Sequence, residues 1–312
     1  MSTRPHSPAM RPATHAARGE SWFSESLARG LLVLRAFSRE RPRLRASEIA
    51  DLTKLSRAAV RRHLMTLQSL GYVGVEDERF FLRPRILDIG YGYLSSAGIE
   101  ELIEPVLQEI AVAADGASHF AILDDWQVLF VASVPSRRMR NTFTVAGGRM
   151  PAYVGSLGPT LLAWLPSPVI KNYLRQTKRV RFTETTVAGE AEILTRLARV
   201  RANGYAVNRG EYTDGIVGVA IPLRNRQGQV IAALNVNRFS PRPPRPEQIK
   251  SDLAILKKAA EQIEAALQTP DWIKRHGFAP FNAESDAPVA AARSKSRSGH
   301  LSVPKAQSRT SS

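Results

Sequence analysis

Apolar residues recur at helical spacing twice near the start of the chain. Leu27, Leu31 and Leu34 share one face of a predicted helix over Phe23–Phe37, and Val60, Leu64 and Leu67 share one face of another. Between them Ser47–Leu52 reads as a short helix that ends in a turn. Ser56 opens the next helix, since its hydroxyl can accept a free N–H one turn inside, and Gly71 follows as the C-terminal stop. Tyr72–Val75 and Arg79–Leu82 then read as two strands joined at Glu76-Asp77-Glu78. Helices followed by a hairpin give a winged helix-turn-helix over residues 22–83.

A helix over Pro84–Ser96, apolar at Ile86, Leu87, Ile89 and Tyr93, is predicted to form a linker spanning 84–98. A second domain, 99–268, alternates helices and strands. Leu102, Val106, Ile110 and Ala113 mark a helix over Glu100–Ala114. Ala117–Leu123 and Val128–Val134 read as a hairpin, and Asn141–Val145 as a further strand. Helices are predicted over Gly155–Trp164, Pro168–Gln176 and Gly189–Asn203, the last stopped by Gly204. Gly218–Leu223 and Val230–Val236 pair through Asn225-Arg226-Gln227-Gly228, and a helix over Pro246–Leu267 closes the unit. Helices beside hairpin-joined strands, without repeated βαβ units, indicate an α+β class with a mainly antiparallel sheet.

Charge sharpens the picture. The 312 residues carry a formal net charge of +16, which points to a polyanionic partner. Ten Lys/Arg against three Asp/Glu fall between Arg29 and His63. Opposite the packed face of the helix opened by Ser56 stand Ala58, Arg61, Arg62 and Met65. Arginines suit phosphate or guanine O6 and N7, and small residues allow close approach to base edges. Ser47, Ser56, Arg57, Ala58, Arg61, Arg62 and Met65 are therefore the candidate DNA contacts. The competing readings are a solvated helix face and a winged helix that docks protein instead of DNA.

The chain has no cysteine, which excludes disulfides and thiol chemistry and fits a cytoplasmic location. No apolar run is long enough to span a bilayer, and the first residues lack a secretory apolar core, so no membrane partner is expected. Residues 1–21 read as a disordered arm and 269–312 as a disordered basic tail.

The sequence offers little for catalysis. His119 is the one histidine inside the second domain, and a lone strand histidine reads first as a core or pocket residue. Ser156 lacks the first glycine of a nucleophile elbow, because Val154 stands there. No phosphate-binding or dinucleotide motif and no paired metal-ligand spacing occurs. No catalytic residue, metal or cofactor is expected, and a hydrolase using Ser156 is kept as the alternative. The loop Ala146–Gly158 leads into a helix start, which is either an anion seat or a turn needing glycine. Asn235 and Asn237 share a face of the last strand, either lining a pocket or facing solvent.

The segments SLARGLLVLRAFS, ASEIADLTKLSRAAVRRHLMTLQSLGYV and FFLRPRILDIGYGYLSS, followed by RMPAYVGSLGPTLLAWLP, GYAVNRGEYTDGIVGVAIPL and GQVIAALNVNRFS, resemble the IclR-type bacterial transcription regulators over about Ser26–Leu267. MPAYVGS is most similar to the branch controlling protocatechuate, 4-hydroxybenzoate and β-ketoadipate catabolism. The resemblance implies a GAF-like effector domain, dimers or tetramers, a double-stranded DNA operator, a small organic acid effector, and RNA polymerase as a candidate partner. By position it assigns the effector pocket to Ser156, Leu157, Asn208, Gly218, Asn235 and Asn237, with Tyr153 as an aromatic wall. Asn208 replaces a common acid, Pro159 a common Lys/Arg, and Gly218 a common Ser or Cys. A less acidic pocket tolerates a carboxylate better.

Overall fold

The computed structural model describes residues 23–38, 40–96, 99–136 and 145–267. The expected arm (1–21), the basic tail (269–312) and all but the last residue of the strand expected over 141–145 lie outside the described residues.

The N-terminal unit contains α1 (Glu25–Leu34), β1 (Arg43–Leu44), α2 (Ala46–Thr53), α3 (Arg57–Ser69), β2 (Val73–Glu76) and β3 (Arg79–Leu82), with the sheet ordered β1-β3-β2. Val60 and Leu64 of α3 are buried against Val33, Phe37, Leu44, Ile49 and Val73, with Leu67 packed on the same core. The Ser56 hydroxyl accepts the Ala59 N–H at 3.2 Å and caps α3. Gly71, at φ +81°, ends it, and the Tyr72 N–H returns to the Leu67 carbonyl at 2.9 Å. The wing turn places Asp77 and Glu78 in succession at positive φ, which matches the twist of a two-residue hairpin.

The packing of α1 corrects the expected face. Leu27 and Leu31 are exposed, and Leu32, Val33, Ala36 and Phe37 of this segment are buried instead. The helix is apolar on several sides, so spacing alone does not choose which side the neighbouring helices cover. In the linker, a 3₁₀ turn (Pro84–Ile86) precedes α4 (Leu87–Ser96), whose Leu87 and Ile89 are also exposed.

A π turn (Ile99–Ile103) leads into α5 (Glu104–Ala113). The strands β4 (Ala117–Asp124), β5 (Gln127–Val134), β6 (Arg149–Pro151), β7 (Ala206–Arg209), β8 (Ile216–Arg224) and β9 (Val230–Phe239) form one sheet, ordered β6-β5-β4-β9-β8-β7 and antiparallel throughout. Alternation along the strands sends side chains to two cores. One joins Phe120, Val219, Leu234 and Val236 to α5 and α9 (Pro246–Leu267). The other joins Val128, Phe130, Ala220 and Ala233 to α6 (Leu157–Leu162), α7 (Ser167–Gln176) and α8 (Glu190–Asn203). The strands β1, β6 and β7 are not legible in the sequence pattern, since two to four residues carry too little alternation to register.

Helix α6 is shorter than expected, and it approaches the preceding loop very closely. A β-carbon added to Gly158 would lie 2.1 Å from the Ala152 carbonyl oxygen. Gly158→Ala must therefore push backbone apart, and we expect it to lower stability by about 2 kcal/mol in a urea titration. An unchanged midpoint would show that the loop and helix have room to spare.

Candidate nucleic-acid interface and effector pocket

The two faces of α3 differ sharply. Val60 and Leu64 are inaccessible, whereas Ser56, Arg57, Ala58, Arg61, Arg62 and Met65 are exposed. Ala58, Arg61, Arg62, Met65, Thr66 and Ser69 line one open depression. Arg57, Arg61 and Arg62 have no acidic partner among the described residues. Three arginines elsewhere in this unit do: Arg29 pairs with Glu25, Arg43 with Glu76, and Arg79 with Glu48. Helix α3 thus presents three exposed arginines without a counter-charge among the described residues. Ser47 is half-buried near the start of α2. Burial, followed by the charges of Arg29 and Arg62, holds the His63 imidazole below its ordinary pKa. The wing tip keeps Asp77 and Glu78 exposed, which disfavours phosphate there.

The second site lies on the sheet face beneath α6, which packs over β4, β8 and β9. Cross-strand pairing sets a rung of Ser133, His119, Asn235 and Ala220, each directly opposite the next. The next rung holds Ala117, Asn237, Gly218 and Asn208. The His119 Nδ1 lies 2.8 Å from the Asn235 Oδ1, and its ring meets Phe130 edge-on at 5.3 Å. Burial lowers its pKa to about 4, partly offset by the Asn235 hydrogen bond. The ring is therefore neutral near pH 7, and because Asn235 offers an oxygen, the assigned tautomer donates from Nδ1.

Ser133 Oγ, Ser156 Oγ and Asn237 Oδ1 are among the buried polar side-chain atoms that have no hydrogen-bond partner among the described residues. Each such atom costs about 1–3 kcal/mol while unpaired, and a polar ligand's hydrogen bonds would offset that cost. The helix-start reading of the preceding loop is modified. Ser156 has helical dihedrals and no capping bond, and α6 spans only six residues. The polar groups that this region offers are side-chain atoms rather than a helix terminus.

Other expected pocket residues have structural tasks. The Tyr153 hydroxyl donates to the Val180 carbonyl and accepts the Val180 N–H, both at 2.9 Å, while its ring stacks on Phe182. Asn208 donates to the Ile216 carbonyl at 2.7 Å and accepts the N–H groups of Gly210 at 3.1 Å and Glu211 at 3.2 Å. Leu157 is buried in the core under α6. Gly218 has no space for a side chain: a β-carbon would lie 2.1 Å from the Val236 carbonyl oxygen. The chain thus brings Ser156, Gly218, Asn235 and Asn237 to one side of the sheet, and adds Ser133 and His119. Sequence reasoning misses Ser133 because a bulge in the β4–β5 hairpin shifts the register by one residue before His119, and the sequence does not mark that bulge.

Among the described residues no group of three or more His, Cys, Asp or Glu side chains could hold a metal ion, and no helix is long and apolar enough to cross a membrane.

Comparison with known proteins places both halves. Residues 26–77 match the IclR helix-turn-helix domain, and residues 91–265 match the bacterial transcriptional regulator IclR C-terminal family. The Pca regulon regulatory protein of Pseudomonas putida is 34% identical over 83% of this chain and 92% of its own length. The p-hydroxybenzoate hydroxylase transcriptional activator of Acinetobacter baylyi is 31% identical over 77% of this chain and 91% of its own. Among solved structures, a Rhodococcus sp. RHA1 protein is 37% identical with a TM-score of 0.69, covering 78% of this chain and 98% of its own. An IclR family transcriptional regulator from Brucella abortus is 26% identical with a TM-score of 0.65, covering 82% of this chain and 97% of its own.

Proposed function

The chain belongs to the IclR family of bacterial transcriptional regulators, ligand-responsive DNA-binding proteins, and from that premise we propose how its two halves divide the work. Helix α3 enters the major groove. Arg61 and Arg62 meet base edges or phosphates, Arg57 and the capped start of the helix meet the backbone, and Ala58 and Met65 pack against the groove floor. The observation that carries this reading is the set of exposed, uncompensated arginines opposite a fully packed helix face. A sequence-specific regulator presents two such helices to two half-sites, which requires self-association. The outward Leu27 and Leu31 of α1 and Leu87 and Ile89 of α4 supply apolar surface for it.

The effector is a small aromatic acid that seats on the sheet face under α6. Its carboxylate accepts from Ser156, and its ring lies against the small residues of the sheet. The relatives' names, which tie them to the Pca regulon and to p-hydroxybenzoate hydroxylase, support that class. Binding shifts the population of subunit arrangements and with it the spacing of the reading heads. The protein acts in the cytoplasm as a regulator and not as an enzyme. Ser156 Oγ makes no hydrogen bond to a base among the described residues, which leaves a nucleophilic role without its proton acceptor.

A thermal-shift titration with 4-hydroxybenzoate and protocatechuate tests the effector class. An acid present at about a hundredfold its Kd should stabilise the native state by about 2.7 kcal/mol. Benzamide, which has the ring but no carboxylate, should give a much smaller shift. Equal shifts for all three, or none for either acid, would rule out carboxylate recognition at this site.

A further inference from the structure

The loop that carries Ser156 is held by a buried ion pair from elsewhere in the fold. Gly155 precedes Ser156 at φ +72°. Its N–H donates to the Glu211 carboxylate at 3.2 Å, and its carbonyl accepts from Arg196 Nη2 at 2.6 Å. Arg196 and Glu211 pair directly with each other, with side chains only 13% and 6% exposed. One glycine is therefore gripped from both sides by one pair.

The same two residues reach outward. Arg196 Nη2 also donates to the Val207 carbonyl of β7 at 3.2 Å. The Glu211 carbonyl accepts from Thr186 at 2.7 Å, and its N–H donates to Asn208 at 3.2 Å. The pair thus joins α8, the edge strand β7 and the turn after it to the one loop that aims Ser156. A buried pair is weak evidence for stability by itself, since well-packed apolar residues of similar volume often serve as well.

We infer that Arg196 and Glu211 are positioning residues for the effector site, fixing the Gly155 peptide so that Ser156 faces the polar rung of the sheet. This rests on the effector reading above only in saying which site the loop serves. Arg196 has a second consequence: its guanidinium cancels the buried Glu211 carboxylate beside a pocket that takes an anion. Removing either partner alone leaves a buried unpaired group and risks unfolding, so the informative variants change both.

Arg196→Met with Glu211→Leu removes both grips on Gly155 while keeping volume. Arg196→Met with Glu211→Gln is also uncharged but keeps an acceptor for the Gly155 N–H. Two readouts apply to the intact protein. In hydrogen exchange, amides of residues 150–160 should exchange at least tenfold faster in the Met/Leu variant, and the Met/Gln variant should recover most of that protection. Calorimetry with 4-hydroxybenzoate should show at least tenfold weaker binding for Met/Leu and recovery to within about threefold for Met/Gln. DNA affinity without the acid should stay unchanged in both.

Loop exchange equal to the parent protein in Met/Leu would overturn the positioning role, and so would a Met/Gln variant as impaired as Met/Leu. If the parent itself binds no 4-hydroxybenzoate, the effector reading falls while the exchange comparison still decides the positioning role.

Discussion

Replacing Arg61 and Arg62 together with alanine is expected to weaken specific DNA binding by about a hundredfold or more, while the protein's own melting temperature stays within a degree or two. Each well-placed guanidinium contact to a base contributes about 1–3 kcal/mol of discrimination, and two such losses multiply. The stability side follows from the structure. Neither arginine has an acidic partner among the described residues, so no carboxylate is left unpaired when they go, and exposed substitutions of that kind stay within about 0.5 kcal/mol. The salt dependence separates two versions of the same role. If both arginines neutralise phosphates, the slope of log K against log salt should fall by about 1.8. If both read guanines, the slope should change less and discrimination among half-site sequences should relax. Filter-binding or anisotropy titrations at several salt concentrations, on a duplex selected from a random pool by the intact protein, measure both. Full affinity and an unchanged slope in the double variant would move the interface off α3.

Acid should loosen the C-terminal unit through His119. Its pKa is about 4 in the folded chain against an ordinary 6.5, so between those values the unfolded state binds a proton that the native state refuses. Stability therefore falls as pH drops through that window, at about 1.4 kcal/mol per unit, and flattens below about pH 4. The accumulated loss is about 3 kcal/mol. Glu211 works in the opposite sense: burial raises its carboxyl pKa, opposed by Arg196, so protonation at low pH relieves part of a cost carried at neutral pH. A comparison isolates the histidine. His119→Gln keeps a donor toward Asn235 but cannot titrate. Urea midpoints at pH 7, 6 and 5 should decline more steeply in the parent protein than in the variant. Parallel declines would mean that His119 takes up its proton in the native fold.

The parts of this fold that could be read from sequence are those governed by local periodicity. Val60, Leu64 and Leu67 fixed the buried face of α3, and Ser56 and Gly71 marked its ends because caps act within a turn or two. Gly204 stopped α8 for the same reason, at φ +79°. Spacing points to the wrong face of α1 because apolar residues surround the helix, so the decision falls to tertiary contacts with α2 and α3. The pocket was legible only in part. Period two placed Asn235 and Asn237 on one side, but the opposing His119 depends on strand register across more than a hundred residues of chain, and Ser133 on a bulge inside the β4–β5 hairpin. The Arg196–Glu211 grip on Gly155 leaves no motif at all: it joins residues 15, 41 and 56 apart. Tyr153 and Asn208, expected at the pocket, also carry hydrogen bonds that hold neighbouring loops, which local spacing does not reveal.

Chemical probing of guanine N7 on the selected duplex tests most directly whether the arginine face of α3 occupies the major groove. The parent protein should protect guanine N7 within each half-site from methylation, and the Arg61→Ala/Arg62→Ala protein should lose that protection at concentrations that still load it on the DNA. Guanine N7 left fully reactive beneath bound parent protein would contradict the account.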